Sequence, residues 1–156
     1  MDEIKNITVL GSGTMGHGIA QIAATAGFEV VLRDVEQKFL DNAMQKIRWS
    51  LDKLVEKNKM TKDSLEQTFS RIVPMIDIKE SLNLADLVIE AVPEDLSLKK
   101  TVYSEVSSHA DPKTIFASNT STLPISEMAD LTDRPGSFIG LHFFNPPQLM
   151  KLVEVI

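Results

Sequence analysis

The sequence predicts an α/β fold: a doubly wound, mostly parallel sheet with helices on both faces. Three observations predict it. Short apolar runs alternate with longer segments of helical periodicity. A glycine-rich hexamer lies between the first such run and the first helical segment. The chain has 156 residues, 43% hydrophobic and 24% charged, enough for one domain with a sizeable core.

The elements follow in order. Residues 4–10, Ile-Lys-Asn-Ile-Thr-Val-Leu, are a β-rich run that stops at Gly11. Ile19, Ile22, Ala23 and Ala26 then recur at helical spacing, and Gly27 closes that helix. Residues 28–34 read as a second strand. A long amphipathic helix over 36–57 carries Leu40, Ala43, Ile47, Leu51 and Leu54 on one face. Thr61 and Glu66 bracket a shorter helix, and 71–76 is a third strand closed by Asp77. Residues 87–92 form a fourth strand ending at Pro93, 96–106 a helix, 114–118 a fifth strand, 137–143 a sixth and 151–156 a seventh.

Composition excludes several classes of function. No apolar run reaches the length of a membrane span. The opening Met1-Asp2-Glu3-Ile4-Lys5 is acidic and polar, unlike a signal peptide. There is no cysteine, which removes disulfides, thiolate metal sites and a cysteine nucleophile, and fits a reducing cytoplasm. Sixteen basic against twenty-two acidic side chains give a net charge of -6, without the basic surplus of a nucleic-acid binder. No two of the three histidines have metal-ligand spacing, so no metal is expected. His109 sits in a polar helix end, and His17 caps or packs near the glycine loop.

Gly11-Ser12-Gly13-Thr14-Met15-Gly16 matches the dinucleotide fingerprint G-x-G-x-x-G in the required place, directly after a strand and opening a helix. Gly11 permits the tight turn, Gly13 lets backbone approach a pyrophosphate, and Gly16 lets helix pack on strand. The helix N-terminus offers unpaired N–H groups and a positive dipole end. Asp34 ends the second strand eighteen residues after Gly16, where a carboxylate accepts from ribose hydroxyls and repels a 2′-phosphate. That favours NAD over NADP. Arg33 could welcome a 2′-phosphate, but strand alternation points it away from Asp34.

His142 lies where the sixth strand meets the stiff turn Phe144-Asn145-Pro146-Pro147, at the sheet edge where open α/β folds place their ligands. Glu154 is a lone charge within the apolar run 152–156, and a buried carboxylate needs a partner. A reversal between the two segments lets them lie side by side, with His142 as acid/base and Glu154 as its orienter. Position alone leaves a core histidine and a water-facing glutamate equally open. Residues 118–122, Ser-Asn-Thr-Ser-Thr, reach the same edge, where a helix-capping cluster is the plainer reading.

Gly-Leu-His-Phe-Phe-Asn-Pro-Pro at 140–147 and Met-Lys-Leu-Val-Glu-Val-Ile at 150–156 resemble the signature of the L-3-hydroxyacyl-CoA dehydrogenase family. Phe-Ala-Ser-Asn-Thr-Ser at 116–121 and Val-Ile-Glu-Ala-Val-Pro-Glu at 88–94 resemble further blocks of it, in register over the whole chain. Within the family the likeness is to bacterial and archaeal 3-hydroxybutyryl-CoA dehydrogenases. The resemblance implies a Rossmann-type fold and NAD-dependent interconversion of 3-hydroxyacyl-CoA and 3-oxoacyl-CoA in fatty acid or butanoate metabolism. It implies His142 as the catalytic histidine, Glu154 as its partner and Ser121 as the active-site serine. The implied cofactor contacts are the glycine loop, Asp34, Glu94, Lys99, Ser121 and Asn145. Ser50 and Lys57 match positions that touch coenzyme A, and Asn119 is expected to touch substrate or cofactor.

The resemblance also implies a second, all-helical domain that makes the dimer and covers the acyl-CoA. Residues 1–156 are therefore expected to be the NAD-binding domain carrying the His142–Glu154 pair, without that helical domain. Self-association is expected, most simply as a two-fold dimer. Two other readings stay open. One is a relative acting on a non-CoA hydroxy acid such as gulonate. The other is a dinucleotide-binding module with no turnover of its own.

Overall fold

The computed structural model describes residues 3–156; Met1 and Asp2, part of the polar opening read above, lie outside them. The elements run β1 Asn6–Leu10, α1 Gly16–Thr25, β2 Glu29–Arg33, α2 Gln37–Glu56, α3 Lys62–Ser70, β3 Ile72–Met75, α4 Ile78–Ser81, β4 Leu87–Glu90, α5 Leu96–His109, β5 Ile115–Ser118, α6 Ile125–Ala129, β6 Phe138–Phe143 and β7 Val153–Val155. A short 3₁₀ turn, Pro135–Ser137, leads into β6.

The strand order is β3-β2-β1-β4-β5-β6-β7. The first six strands are parallel, and β7 pairs antiparallel with β6. The chain moves outward from β1 to β3, then crosses back to β4 on the other side of β1. That reversal opens a crevice at the carboxyl ends of β1 and β4.

Alternation along the strands feeds two cores. Val9 and Ile89 join Ile19, Leu32, Leu40 and Ile47 beneath α1, α2 and α3. Leu10 and Val88 join Val102, Tyr103, Phe116 and Met128 beneath α4, α5 and α6. All four residues of β4 are buried, as a strand covered on both faces requires. The long helix buries Leu40, Ala43, Ile47 and Leu51, the stripe expected of it. Each such leucine or isoleucine contributes about 1.5–3 kcal/mol by leaving water.

Several boundaries differ from the sequence reading. Gly27 closes α1 as expected: its φ is 101°, its N–H bonds the Ala24 carbonyl, and the Phe28 N–H bonds that of Ala23. Asp77, read as the end of a strand, caps α4 instead by accepting from the Glu80 N–H at 2.7 Å. The fourth strand stops at Glu90, because its carboxylate bends back to accept from the Val92 N–H at 2.9 Å. Thr61 caps α3, which runs on to Ser70, and α5 continues to His109. β7 is only three residues long, and all three are exposed rather than buried.

Candidate active site

The glycine loop sits as its chemistry demands. Gly11 has φ +93°, and a Cβ there would lie 2.7 Å from the Ala91 carbonyl oxygen. A Cβ on Gly16 would overlap the Gly11 carbonyl outright, so helix and strand meet at a distance only glycine allows. Gly13 is the opposite case, since a Cβ there would meet nothing within 4 Å. It faces open space at the mouth of the crevice. Thr61, Asp77 and Asp95 cap their helices with side-chain oxygens. The first turn of α1 has neither such a cap nor an acidic residue. The His17 N–H reaches back to the Gly13 carbonyl at 3.4 Å, which leaves the N–H groups of Gly16 and Gly18 to an anion. His17 folds back on the loop, its Nδ1 2.6 Å from the Gly13 carbonyl oxygen.

Asp34 follows β2 beside this loop. Its Oδ2 accepts from the Ser12 N–H at 2.7 Å and the Ser12 hydroxyl at 2.6 Å, and its Oδ1 accepts from the Val35 N–H. The carboxylate is thus held against the loop with its outer face toward solvent. Arg33 turns away, its Nε donating to the Ile76 carbonyl at 2.9 Å. These residues fit the adenosine half of a dinucleotide: a cradle open at Gly13, a bare helix N-terminus and a fixed carboxylate.

From the loop, a cleft of about 580 Å³ runs across the ends of β4, β5 and β6. Gly13, Thr14 and Met15 line one side, and Ser121, His142 and Asn145 are among those lining the rest. Glu94, Lys99 and Asn119 also reach it. The structure therefore gathers Ser121, His142, Asn145, Glu94, Lys99 and Asn119 around one space beside the glycine loop. Ser50 and Lys57 do not line it. Ser50 accepts from Gln21 Nε2 at 3.0 Å between α1 and α2, and Lys57 is an exposed residue just past α2.

His142 and Glu154 are direct partners across β6 and β7. His142 Nδ1 lies 2.8 Å from Glu154 Oε2. The carboxylate can only accept, so Nδ1 carries the proton and Nε2 is the nitrogen free for chemistry. The Phe144 ring stacks obliquely on the imidazole, 4.7 Å between centroids. The reason given for the pair changes, however. The Glu154 side chain is 54% exposed, so the pairing does not relieve a buried charge. It is a half-exposed edge-strand contact imposed by register.

Sequence reasoning missed the polar floor of the cleft. Glu90 is wholly buried, and both its oxygens lie 2.8 Å from Lys99 Nζ, itself 1% exposed. Lys99 also lies 3.4 Å from Glu94 Oε2. Glu94 in turn accepts from Thr120 Oγ1 at 3.1 Å and the Ser121 N–H at 3.4 Å. Lys99, expected only as a cofactor contact, is a buried cation shared by two carboxylates. Tyr103 donates to Glu90 at 3.1 Å; burial and that carboxylate hold its hydroxyl well above the usual phenol range. The available signal was Glu90 itself, an acid that interrupts the apolar run 87–92 as Glu154 interrupts another.

Comparison with known proteins decides the family. Residues 6–156 match the model of the 3-hydroxyacyl-CoA dehydrogenase, NAD binding domain. The chain belongs to this family. It is 40% identical over its whole length to a 3-hydroxyadipyl-CoA dehydrogenase of Escherichia coli, covering 33% of that protein. It is 42% identical over 98% of its length to a 3-hydroxybutyryl-CoA dehydrogenase of Bradyrhizobium diazoefficiens, covering 52% of it. The crystal structure of 3-hydroxybutyryl-CoA dehydrogenase from Escherichia coli superposes with a TM-score of 0.95 at 39% identity, over 99% of this chain and 32% of that one. The chain thus spans between about a third and about half of these relatives. The strand order and this superposition show the Rossmann-type fold expected. No helix among the described residues is long and apolar enough to cross a membrane, and no cluster of three or more His or acidic side chains there could hold a metal ion.

Proposed function

We propose that this chain binds NAD and carries the acid/base machinery of a 3-hydroxyacyl-CoA dehydrogenase acting on a short-chain substrate of the 3-hydroxybutyryl-CoA type. One observation carries the reading: His142, with Nδ1 engaged by Glu154, lines the same cleft as Gly13, Thr14 and Met15 of the dinucleotide loop. Bound NAD would supply the acceptor for the hydride leaving C3 of the hydroxyacyl group.

The chain's own residues do the rest. His142 Nε2 takes the 3-hydroxyl proton as the C3–H bond breaks, and returns it to the 3-oxo oxygen in the reverse direction. General acid–base help of this kind contributes about 10² to 10⁴ in rate. Glu154 holds the imidazole in the tautomer that leaves Nε2 free. The Ser121 hydroxyl hydrogen-bonds the reacting oxygen, and Asn145 and Asn119 orient cofactor and substrate. Asp34 selects the unphosphorylated ribose. Ser50 and Lys57, on and just past α2, are assigned to the coenzyme A moiety on the family resemblance alone.

A lack of cysteine supports a cytoplasmic setting. Exposed Val155 in β7, with exposed Leu149 and Leu152 before it, supports self-association, which light scattering at micromolar concentration will test. Oxidation of NADH by acetoacetyl-CoA, measured in the protein carrying this chain, tests the activity; gulonate with NAD is the control for a non-CoA substrate. Turnover with gulonate and none with acetoacetyl-CoA would overturn the substrate class. NADH binding without turnover of either substrate would leave a binding module.

A further inference from the structure

Glu90 ends β4 with no exposed surface, and the chemistry above does not use it. Besides Lys99 and the Val92 N–H, its oxygens accept from Tyr103 at 3.1 Å and from Ser118 Oγ at 2.7 Å. A carboxylate offers about four lone-pair directions, and these donors fill them, as burial requires.

The bonds lead toward the site. The Ser118 hydroxyl that donates to Glu90 also accepts from the Thr120 N–H at 3.2 Å. The Asn119 N–H donates to the Glu90 carbonyl at 2.9 Å. Asn119 Oδ1 then accepts from the Phe143 N–H at 2.9 Å, one residue beyond His142. The carboxylate therefore reaches the turn bearing Ser121 through Ser118, and the Glu90 backbone carbonyl holds Asn119, next to Ser118, whose side chain reaches the backbone beside His142. The sheet ladder between β5 and β6 stops at Ser118 and Gly140, so it does not hold this stretch.

We propose that Glu90 is a positioning residue, whose buried carboxylate sets the 118–121 turn and, through Asn119, the end of β6 that carries His142. This rests on reading the cleft as the site of NAD-dependent chemistry. Glu90 lies at the floor of the cleft with no exposed surface, so it acts through the residues it holds. It acts on the nicotinamide side of the cleft and leaves the adenosine side, built on Gly13 and Asp34, untouched.

Glu90→Gln and Ser118→Ala in the full chain test this by two readouts. Amide hydrogen exchange followed by NMR will quicken about tenfold at Asn119 and Phe143, while Val9 and Leu32 in the sheet change less than about threefold. The NADH dissociation constant will rise about tenfold while that of ADP-ribose, which lacks nicotinamide, moves less than about twofold. Equal acceleration at all four amides would show a stability effect alone and overturn the proposal. Unchanged Phe143 exchange and NADH affinity would overturn it too. Glu90→Gln leaves Lys99 poorly paired; if that variant fails to fold, Ser118→Ala carries the test alone, since it keeps the ion pair. An unmodified chain that binds ADP-ribose but not NADH would instead refute the functional reading, and the exchange comparison would still decide the role of Glu90.

Discussion

His142 and Glu154 face each other across the antiparallel ladder of β6 and β7, with Nδ1 and Oε2 2.8 Å apart. Register makes the pair, because β7 returns along β6 and brings a glutamate to the site-facing end. Twelve residues of sequence separate the two. His142→Gln will leave NADH affinity within about twofold, since the glycine loop and Asp34 are untouched, and will lower turnover at least about a hundredfold. Glu154→Ala will lower kcat by about tenfold or more without altering NADH binding, because it frees the imidazole to take the wrong tautomer. A His142→Gln enzyme retaining more than about a tenth of the rate would remove His142 from the acid/base role.

Asp34 sits beside the loop with both oxygens already engaged by backbone or Ser12, so it cannot swing aside for a phosphate. The unmodified chain will bind NADH far better than NADPH. Asp34→Ala will narrow that preference by one to two orders of magnitude, about 1.4–3 kcal/mol. Fluorescence titration with both nucleotides measures the ratio, and equal affinities in the unmodified chain would sink the idea.

The fold was legible because its local signals agree. Alternating strands and helices, a glycine hexamer in place and a capping glycine at Gly27 all demand the same topology. Asp77 shows where such reading stops. An aspartate after an apolar run ends a strand or starts a helix equally well, and only the distance to the Glu80 amide distinguishes them. The site was half legible. His142 and Glu154 stand out by type and by the edge they occupy. The cluster of Glu90, Lys99 and Tyr103 does not, because it forms only when β4 meets α5, and its one signal in the chain is the acid within an apolar run. Glu154 carries the opposite lesson: an apolar flanking sequence suggested burial, but β7 is an exposed edge strand.

Asp86 ties the start of β1 to the start of β4. Its Oδ2 accepts from the N–H groups of Lys5 and Asn6 at 2.9 and 2.8 Å. These bonds, the Lys5 amide first, hold its carboxyl below the usual aspartate range. A group lowered in the folded state stabilises above its unfolded value, near about 3.9, and loses that contribution as pH falls through the lower folded value. Asp86→Ala will therefore cost about 1.5–3 kcal/mol at neutral pH, the worth of hydrogen bonds to a charged group. The difference from the unmodified chain will shrink below about pH 4. Urea unfolding at about pH 7 and about pH 3 checks the sign, and a gap that widened in acid would contradict it.

Gly13 and Gly16 belong to one motif but answer to different constraints. A Cβ on Gly13 meets nothing within 4 Å, so Gly13→Ala will fold with nearly unchanged stability. The added methyl then projects into the space a pyrophosphate must enter, and NADH affinity will fall at least about tenfold. A Cβ on Gly16 collides with the Gly11 carbonyl, a backbone atom that cannot rotate away. Gly16→Ala must push α1 off β1, and overpacking of this kind costs about 1–3 kcal/mol or more. It will lower the melting temperature as well as NADH affinity. Thermal unfolding and NADH titration of both variants separate the two roles. A Gly13→Ala chain that bound NADH normally would place the pyrophosphate elsewhere. A Gly16→Ala chain as stable as the parent would mean that the helix–strand contact is looser than the geometry requires.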